Sequence, residues 1–415
     1  MSKTKIFVSA FSCMPHIGSE PGVGWHWIME MSKYYELWVL VHKEPIDDIE
    51  KYVKQHGIDQ LIHFIYFDIP LNSLFFKDGK FRWVRTYYVL WTMLANKIVR
   101  KTMEENGIEI FHNLTFGNAI WPVSHFGQKK IFIWGPIGGV ETIPKEFSIN
   151  YNFKSRCFEA VRRIIVKSLI FNWGFLKRCR NANLILCKTE DMLNTIPSKY
   201  QHKAHLCTDV AVEIRDAESA KKNQARRNDI DINFLSVGRL DGWRGFDLLI
   251  EAFAIAAIKN PHMKLTILGD GIERNNLENL ACRKGVSNIV NFIGSVPVND
   301  YIKYIQSCDV VVNSCLKEGA VTVSFDSMRY GKPLICIDSG GFTKYFNKEY
   351  AIVLPRNNRQ ELIYSLAEAM LKMTNKDIRE SMGEKAKTAG NSFSWDVKGT
   401  IISKLIDNAL TMSSI

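Results

Sequence analysis

Short apolar runs rich in Val, Ile, Leu and Phe alternate with amphipathic stretches of helical period along this 415-residue chain. In the first half the runs at 5–11, 37–41, 63–67, 110–112, 131–134 and 184–188 predict strands, with a Gly-rich loop after the first and a helix from about Val23. The second half restarts at 233–240 (NFLSVGRL) and then keeps strict order: helix 246–258, strand 265–271, helix 273–284, strand 289–293, helix 299–307, strand 310–314, helix 322–330, strand 333–338. Strands crossed by helices of this length make an α/β protein of two doubly wound parallel sheets, whose ligands bind beyond the carboxyl ends of the strands. The domains expected are 1–208, a polar linker at 209–231 containing KKNQARRND, and 232–394. A final helix, 395–415, follows the second sheet and is free to pack back on the first domain.

Composition narrows the class. The stretch IFVSAF after Lys3 and Lys5 reads as a buried strand rather than a signal peptide, and no apolar run approaches the roughly 20 residues that span a bilayer. Nine cysteines without a Cys-x-x-Cys pair argue against a disulfide framework or a zinc site and suit a reducing cytoplasmic setting. The formal net charge of +11 is uneven: residues 1–208 hold 27 Lys and Arg against 18 Asp and Glu, whereas 209–415 hold 27 against 25. Residues 151–180 carry eight cations and one acid among Phe, Trp, Ile and Leu. With FRWVRTYYVLW at 81–91 this reads as a surface for anionic membrane, the alternative being helices packed on the first sheet. No nucleic-acid motif accompanies the basic charge.

Candidate chemistry collects at strand exits. In GRLDGWRGF, Arg239 follows a strand and Arg244 precedes a helix, so two guanidinium groups and a helix N-terminus can face one anion, and a diphosphate suits them. Glu318 in a loop and Asp326 in the next helix can accept hydrogen bonds from sugar hydroxyls. Gly18, Gly22 and Gly24 fit a loop whose amides approach a phosphate, or a plain structural turn. His112 at a strand end is a candidate for a sugar hydroxyl or for developing charge; WGPIGG at 134–139, with Glu141 beyond it, is a further Gly-rich exit.

These residues resemble the retaining nucleotide-sugar glycosyltransferases of family four, which have the GT-B fold: two Rossmann-like domains facing across a cleft. GRLDGWRGF resembles the family's GRL…KG phosphate motif, LGDG (268–271) its glycine turn, NFIG (291–294) the segment meeting the base, and EGAVTVSFD, with SMRYGKP and DSGG after it, the E-x7-E signature. GSEPGVGWHW, HNLTFGNAIWP and WGPIGGVETIP are similar to a bacterial subgroup acting in surface-polysaccharide assembly. The resemblance implies that Arg239 and Arg244 hold the donor diphosphate, Glu318 contacts the transferred sugar and Asp326 grips the ribose. His112 and Gly22 would line the donor from the first domain, and Gly24, Gly269, Asp270, Gly271, Ile293, Gly294, Gly319, Ala320, Val321 and Thr322 complete the donor contacts. Arg244 stands where the family has lysine and Asp326 where it has glutamate, one methylene longer. The implied reaction retains anomeric configuration, uses a UDP- or GDP-type donor and a glycan or lipid-linked acceptor, and needs no metal. A non-catalytic nucleotide-sugar-binding partner of another transferase is the alternative; a nucleotide-sugar isomerase lacks support in the spacing.

Overall fold

The computed structural model describes residues 3–58, 60–70, 74–77, 80–81, 83–127, 130–148, 151, 153–214, 231–317, 322–339 and 342–413. The chain forms two compact units: Met1–Val140 with Ser168–Asp209 and Trp395–Ile415, and Glu141–Lys167 with Val210–Ser394.

In the first unit the strands are β1 (Lys5–Ser9), β2 (Glu36–Val41) and β3 (Ile62–Tyr66), a two-residue hairpin of β4 (Phe76–Lys77) and β5 (Lys80–Phe81), then β6 (Ile110–Asn113), β7 (Ile131–Ile137), β8 (Leu184–Cys187) and β9 (Ala204–Leu206). All except the hairpin join one parallel sheet of order β3-β2-β1-β6-β7-β8-β9. Strands buried on both faces are mostly apolar, as in β8 (LILC), whereas β6 (IFHN) buries His112 and Asn113 at its end. The helix Trp395–Ser413 packs on the helix Ser19–Ser32, where Tyr35 OH donates to Ser403 O (3.1 Å) and to Asp407 Oδ1 (2.9 Å).

The second unit holds β10 (Ile232–Val237), β11 (Met263–Leu268), β12 (Val290–Gly294), β13 (Val310–Asn313), β14 (Leu334–Ile337) and β15 (Ala351–Leu354), parallel in the order β12-β11-β10-β13-β14-β15. Its core runs from Phe234, Leu265 and Val312 in the sheet to Leu249, Phe253, Leu366 and Met370 in the covering helices Phe246–Lys259 and Arg359–Lys372.

Three features depart from the sequence reading. The sheet is not complete at 338, because β15 adds an edge strand on β14. The first helix begins at Ser19, four residues ahead of Val23. Residues 141–167, expected in the first domain, group with the second unit: Ile143 and Phe147 are buried in its core, and Tyr151 packs against the same cluster. Most of the expected linker, 215–230, lies outside the described residues.

Candidate active site

Strands β10, β11 and β12 end side by side, and their exits are tied through the backbone. Gly238 N–H donates to Leu268 O (2.9 Å), Leu240 N–H to Asp270 O (3.0 Å) and Gly269 N–H to Gly294 O (2.8 Å). Gly269 has a φ of 122°, and a β-carbon there would lie 2.0 Å from Gly238 O, so no other residue fits. A β-carbon on Gly271 would meet Leu240 O at 2.5 Å. The Gly-Asp-Gly turn thus brings the β11 exit against the arginine loop of β10. Asp270 is exposed and accepts from Gly271 N–H at 2.8 Å; Ile293, at the end of β12, presents a partly exposed apolar side chain.

Past β10 the chain makes a tight turn, Gly242–Arg244, closes it with Gly245 at a φ of 67°, and enters the helix Phe246–Lys259. A β-carbon at Gly245 would sit 2.2 Å from Ser314 O, so the turn lies directly on the exit of β13. Each carbonyl of the turn is held by a donor from elsewhere. Tyr151 OH donates to Gly242 O (2.7 Å), Leu316 N–H to Trp243 O (3.0 Å) and Ser314 Oγ to Arg244 O (2.9 Å). Arg244 stacks on Trp243, its guanidinium carbon 4.3 Å from the ring centroid, and lies over Gly238, where a β-carbon would stand 3.6 Å from its Nε. Arg239, 65% exposed, donates from Nε to Asp241 (2.7 Å). Two guanidinium groups therefore share one loop beside a helix N-terminus, where the field favours anions.

Asp326 is half-buried on the helix Thr322–Arg329, and its Oδ2 accepts from Tyr301 OH at 2.7 Å. Burial pushes its carboxyl up to about 6, while the Tyr301 hydrogen bond and the Arg329 charge pull the other way. Arg329 itself pairs with Glu213 at 3.0 Å. The end of β13 joins this helix to the arginine turn: Asn313 Nδ2 donates to Ser324 Oγ (3.1 Å), and the next residue is Ser314. Thr322 opens the helix; Glu318, Gly319, Ala320 and Val321 lie outside the described residues.

The first-unit candidates are placed differently from their sequence reading. Gly22 and Gly24 are not in a loop but inside the helix Ser19–Ser32, with their backs against chain: β-carbons there would lie 1.8 Å from Ile17 O and 2.2 Å from Ser12 O. His112 is 0% exposed within β6 instead of open at a strand end. Its Nε2 lies 2.7 Å from Gly135 O, and since a carbonyl can only accept, Nε2 carries the proton. Nδ1 is buried without a hydrogen-bond partner among the described residues. Burial lowers the imidazole to about 4, so the ring is neutral near pH 7. Glu141 is buried and belongs to the second unit.

The basic aromatic stretch is also divided. The helix Phe153–Lys167 belongs to the second unit and the helix Trp173–Asn181 to the first. The helix Val84–Leu94 turns Tyr87, Tyr88 and Trp91 inward, with Trp91 Nε1 donating to Phe67 O at 2.7 Å. Phe158, Val161, Ile164, Ile170, Phe171 and Trp173 are exposed. No helix among the described residues is long and apolar enough to cross a membrane.

A parallel sheet whose strand exits carry a glycine turn and two arginines on one loop suits an anionic ligand. Residues 217–389, within the second unit, match the family model of glycosyl transferases group 1. An uncharacterized glycosyltransferase of Haemophilus influenzae is 29% identical over 161 residues, 38% of this chain and 44% of that protein. The N-acetylgalactosamine-N,N'-diacetylbacillosaminyl-diphospho-undecaprenol 4-alpha-N-acetylgalactosaminyltransferase of Campylobacter jejuni is 26% identical over 217 residues, 51% of this chain and 56% of that protein. The chain thus spans about half the length of these two curated relatives. Among solved structures, a glycosyltransferase from Rickettsia africae superposes with a TM-score of 0.64 at 14% identity, covering 99% of both chains. Anabaena HepE in complex with UDP gives 0.58 at 14% identity, covering 98% of this chain and 100% of that one. The fold is GT-B.

Proposed function

We propose that the chain is a retaining glycosyltransferase that moves a sugar from a UDP- or GDP-sugar to a glycan acceptor, lipid-linked, in the assembly of a cell-surface polysaccharide. The observation that carries this reading is the arginine turn after β10, pinned at all three carbonyls, with the Arg239 and Arg244 guanidinium groups on one loop beside a helix N-terminus. The UDP complex of the HepE structure and the undecaprenol-linked substrate in the name of the Campylobacter relative lend support to donor and acceptor class.

In this mechanism Arg239 and Arg244 neutralise the departing diphosphate, Glu318 contacts the sugar and Asp326 the ribose. The acceptor oxygen attacks the anomeric carbon as its bond to the β-phosphate oxygen breaks. The leaving phosphate takes the acceptor proton on the same face, and configuration is retained. The charge on the leaving group is met by guanidinium groups and helix N-terminus, so no metal enters the proposal. Exposed Phe171 and Trp173, with Lys177 4.9 Å over the Trp173 ring, support contact with the anionic inner face of a cytoplasmic membrane.

The test is transfer from a panel of UDP- and GDP-sugars to lipid-linked glycans, followed by NMR of the anomeric proton. Loss of transfer in Glu318→Ala and Arg244→Ala with the fold intact is expected; full activity in both would sink the proposal. A second reading, a non-catalytic donor-binding partner, draws on Asp326, whose carboxylate is already engaged by Tyr301. Donor binding without turnover on any acceptor would favour it.

A further inference from the structure

The helix Phe153–Lys167 buries a carboxylate while it exposes apolar side chains. Phe158, Val161, Ile164 and Ile165 face solvent, while Glu159 is 3% exposed and pairs with the buried ammonium of Lys317. Arg162 Nη2 donates to Glu141 O (3.1 Å) and Arg163 Nη1 to Ile143 O (3.1 Å). A buried ion pair on a surface helix is poorly explained by stability, because desolvation offsets most of its attraction and an apolar pair of the same volume does as well. What the pair does have is a place. Lys317 Nζ lies 5.6 Å from the Trp243 ring centroid, and Arg244 stacks on that same ring at 4.3 Å. Lys317 also follows Leu316, whose N–H holds Trp243 O. Eight residues before Glu159, Tyr151 reaches the turn from the same segment, with its OH on Gly242 O and its ring 3.2 Å from where a Gly242 β-carbon would stand. Arg356 ties the two together, donating to Leu316 O and to Thr142 O.

We infer that residues 141–167 are a positioning segment for the phosphate-binding arginine. Through the Glu159 to Lys317 pair and the Tyr151 hydroxyl, this segment sets the Trp243 ring and the Gly242–Arg244 turn, and so the place of the Arg244 guanidinium. In this inference Glu159, Lys317 and Tyr151 act through the turn and not on the donor. The inference rests on the reading of Arg244 as a diphosphate ligand, and its test separates the two.

The full-length protein is titrated calorimetrically with UDP and GDP, then with the corresponding nucleoside, for the parent, Arg244→Ala, Lys317→Met, Glu159→Gln and Tyr151→Phe. Displacing a guanidinium by a fraction of an ångström weakens a bidentate phosphate contact but not a base contact, so Lys317→Met and Glu159→Gln are expected to lose roughly 10-fold in diphosphate affinity. Tyr151→Phe, which keeps the ring and is expected to fold normally, loses about 3-fold. Nucleoside affinity stays at the parent value in all three. If Arg244→Ala weakens the nucleotide while Tyr151→Phe and Glu159→Gln bind it like the parent, the positioning role is wrong and the site reading survives. If Arg244→Ala binds like the parent, or neither nucleotide binds the parent, both are overturned. Equal losses for nucleotide and nucleoside would mark general destabilisation and also overturn the inference.

Discussion

Two glycine-rich strand exits look alike in sequence and differ in what they do. After β1, Gly22 and Gly24 lie within a helix and let it press on Ile17 O and Ser12 O. After β10, Gly238 and Gly245 frame a turn whose carbonyls are pinned from outside, with Arg244 stacked on Trp243 and Arg239 paired with Asp241 on the same loop. The difference teaches that a missing β-carbon reports close approach without saying whether ligand or chain does the approaching. Cations on the same loop are what separate the two cases.

The largest effect is expected at Arg244. If the proposed role holds, replacing it by alanine removes a charge from the leaving diphosphate, so kcat/KM is expected to fall on the order of 100-fold while the melting temperature holds. The mirror experiment is Gly24→Ala, where the added methyl would stand 2.2 Å from Ser12 O. Overpacking of this kind costs roughly 1–3 kcal/mol, read as a lower melting temperature with donor affinity unchanged. A stable Gly24→Ala protein with lost donor affinity would break the comparison.

Smaller effects are set by protonation. In the folded chain Asp326 binds its proton more tightly than in the unfolded one, up to about 6 against 3.8. Unfolding releases that proton, so its contribution is fully present below the ordinary carboxylate range and is lost as pH rises to about 6. Asp326→Asn removes this loss, and its stability relative to the parent should be better at pH 7 than at pH 4 in denaturant titrations. His112 works in the opposite direction. Its imidazole is lowered to about 4 from 6.5, so stability is lost as pH falls between those values. His112→Gln should flatten that slope, and an unchanged slope would show that the ring is reached by solvent.

Much of the second unit was legible, because each apolar run is bounded by polar turns and followed by a helix of crossing length. β15 escaped because AIVL at 351–354 follows a polar stretch and lies past the apparent end of the sheet. The arginine loop could be read because its chemistry is contiguous: Arg239, Trp243 and Arg244 share one loop. Asp326's partner Tyr301 and the supports Tyr151, Glu159 and Lys317 could not. They meet the site across 25, 91 or 158 residues of chain, distances over which periodicity carries no information. The Phe153–Lys167 helix shows why amphipathicity alone misleads: the period reveals two faces, and only packing shows that Glu159 is inside while Phe158, Val161 and Ile164 are outside.

Whether the β10 exit holds the donor diphosphate is decided by a crystal structure with UDP or GDP soaked into the protein. The β-phosphate oxygens are expected within hydrogen-bond distance of both the Arg239 and Arg244 guanidinium groups. A diphosphate bound elsewhere, with the Gly242–Arg244 turn bare, would contradict it.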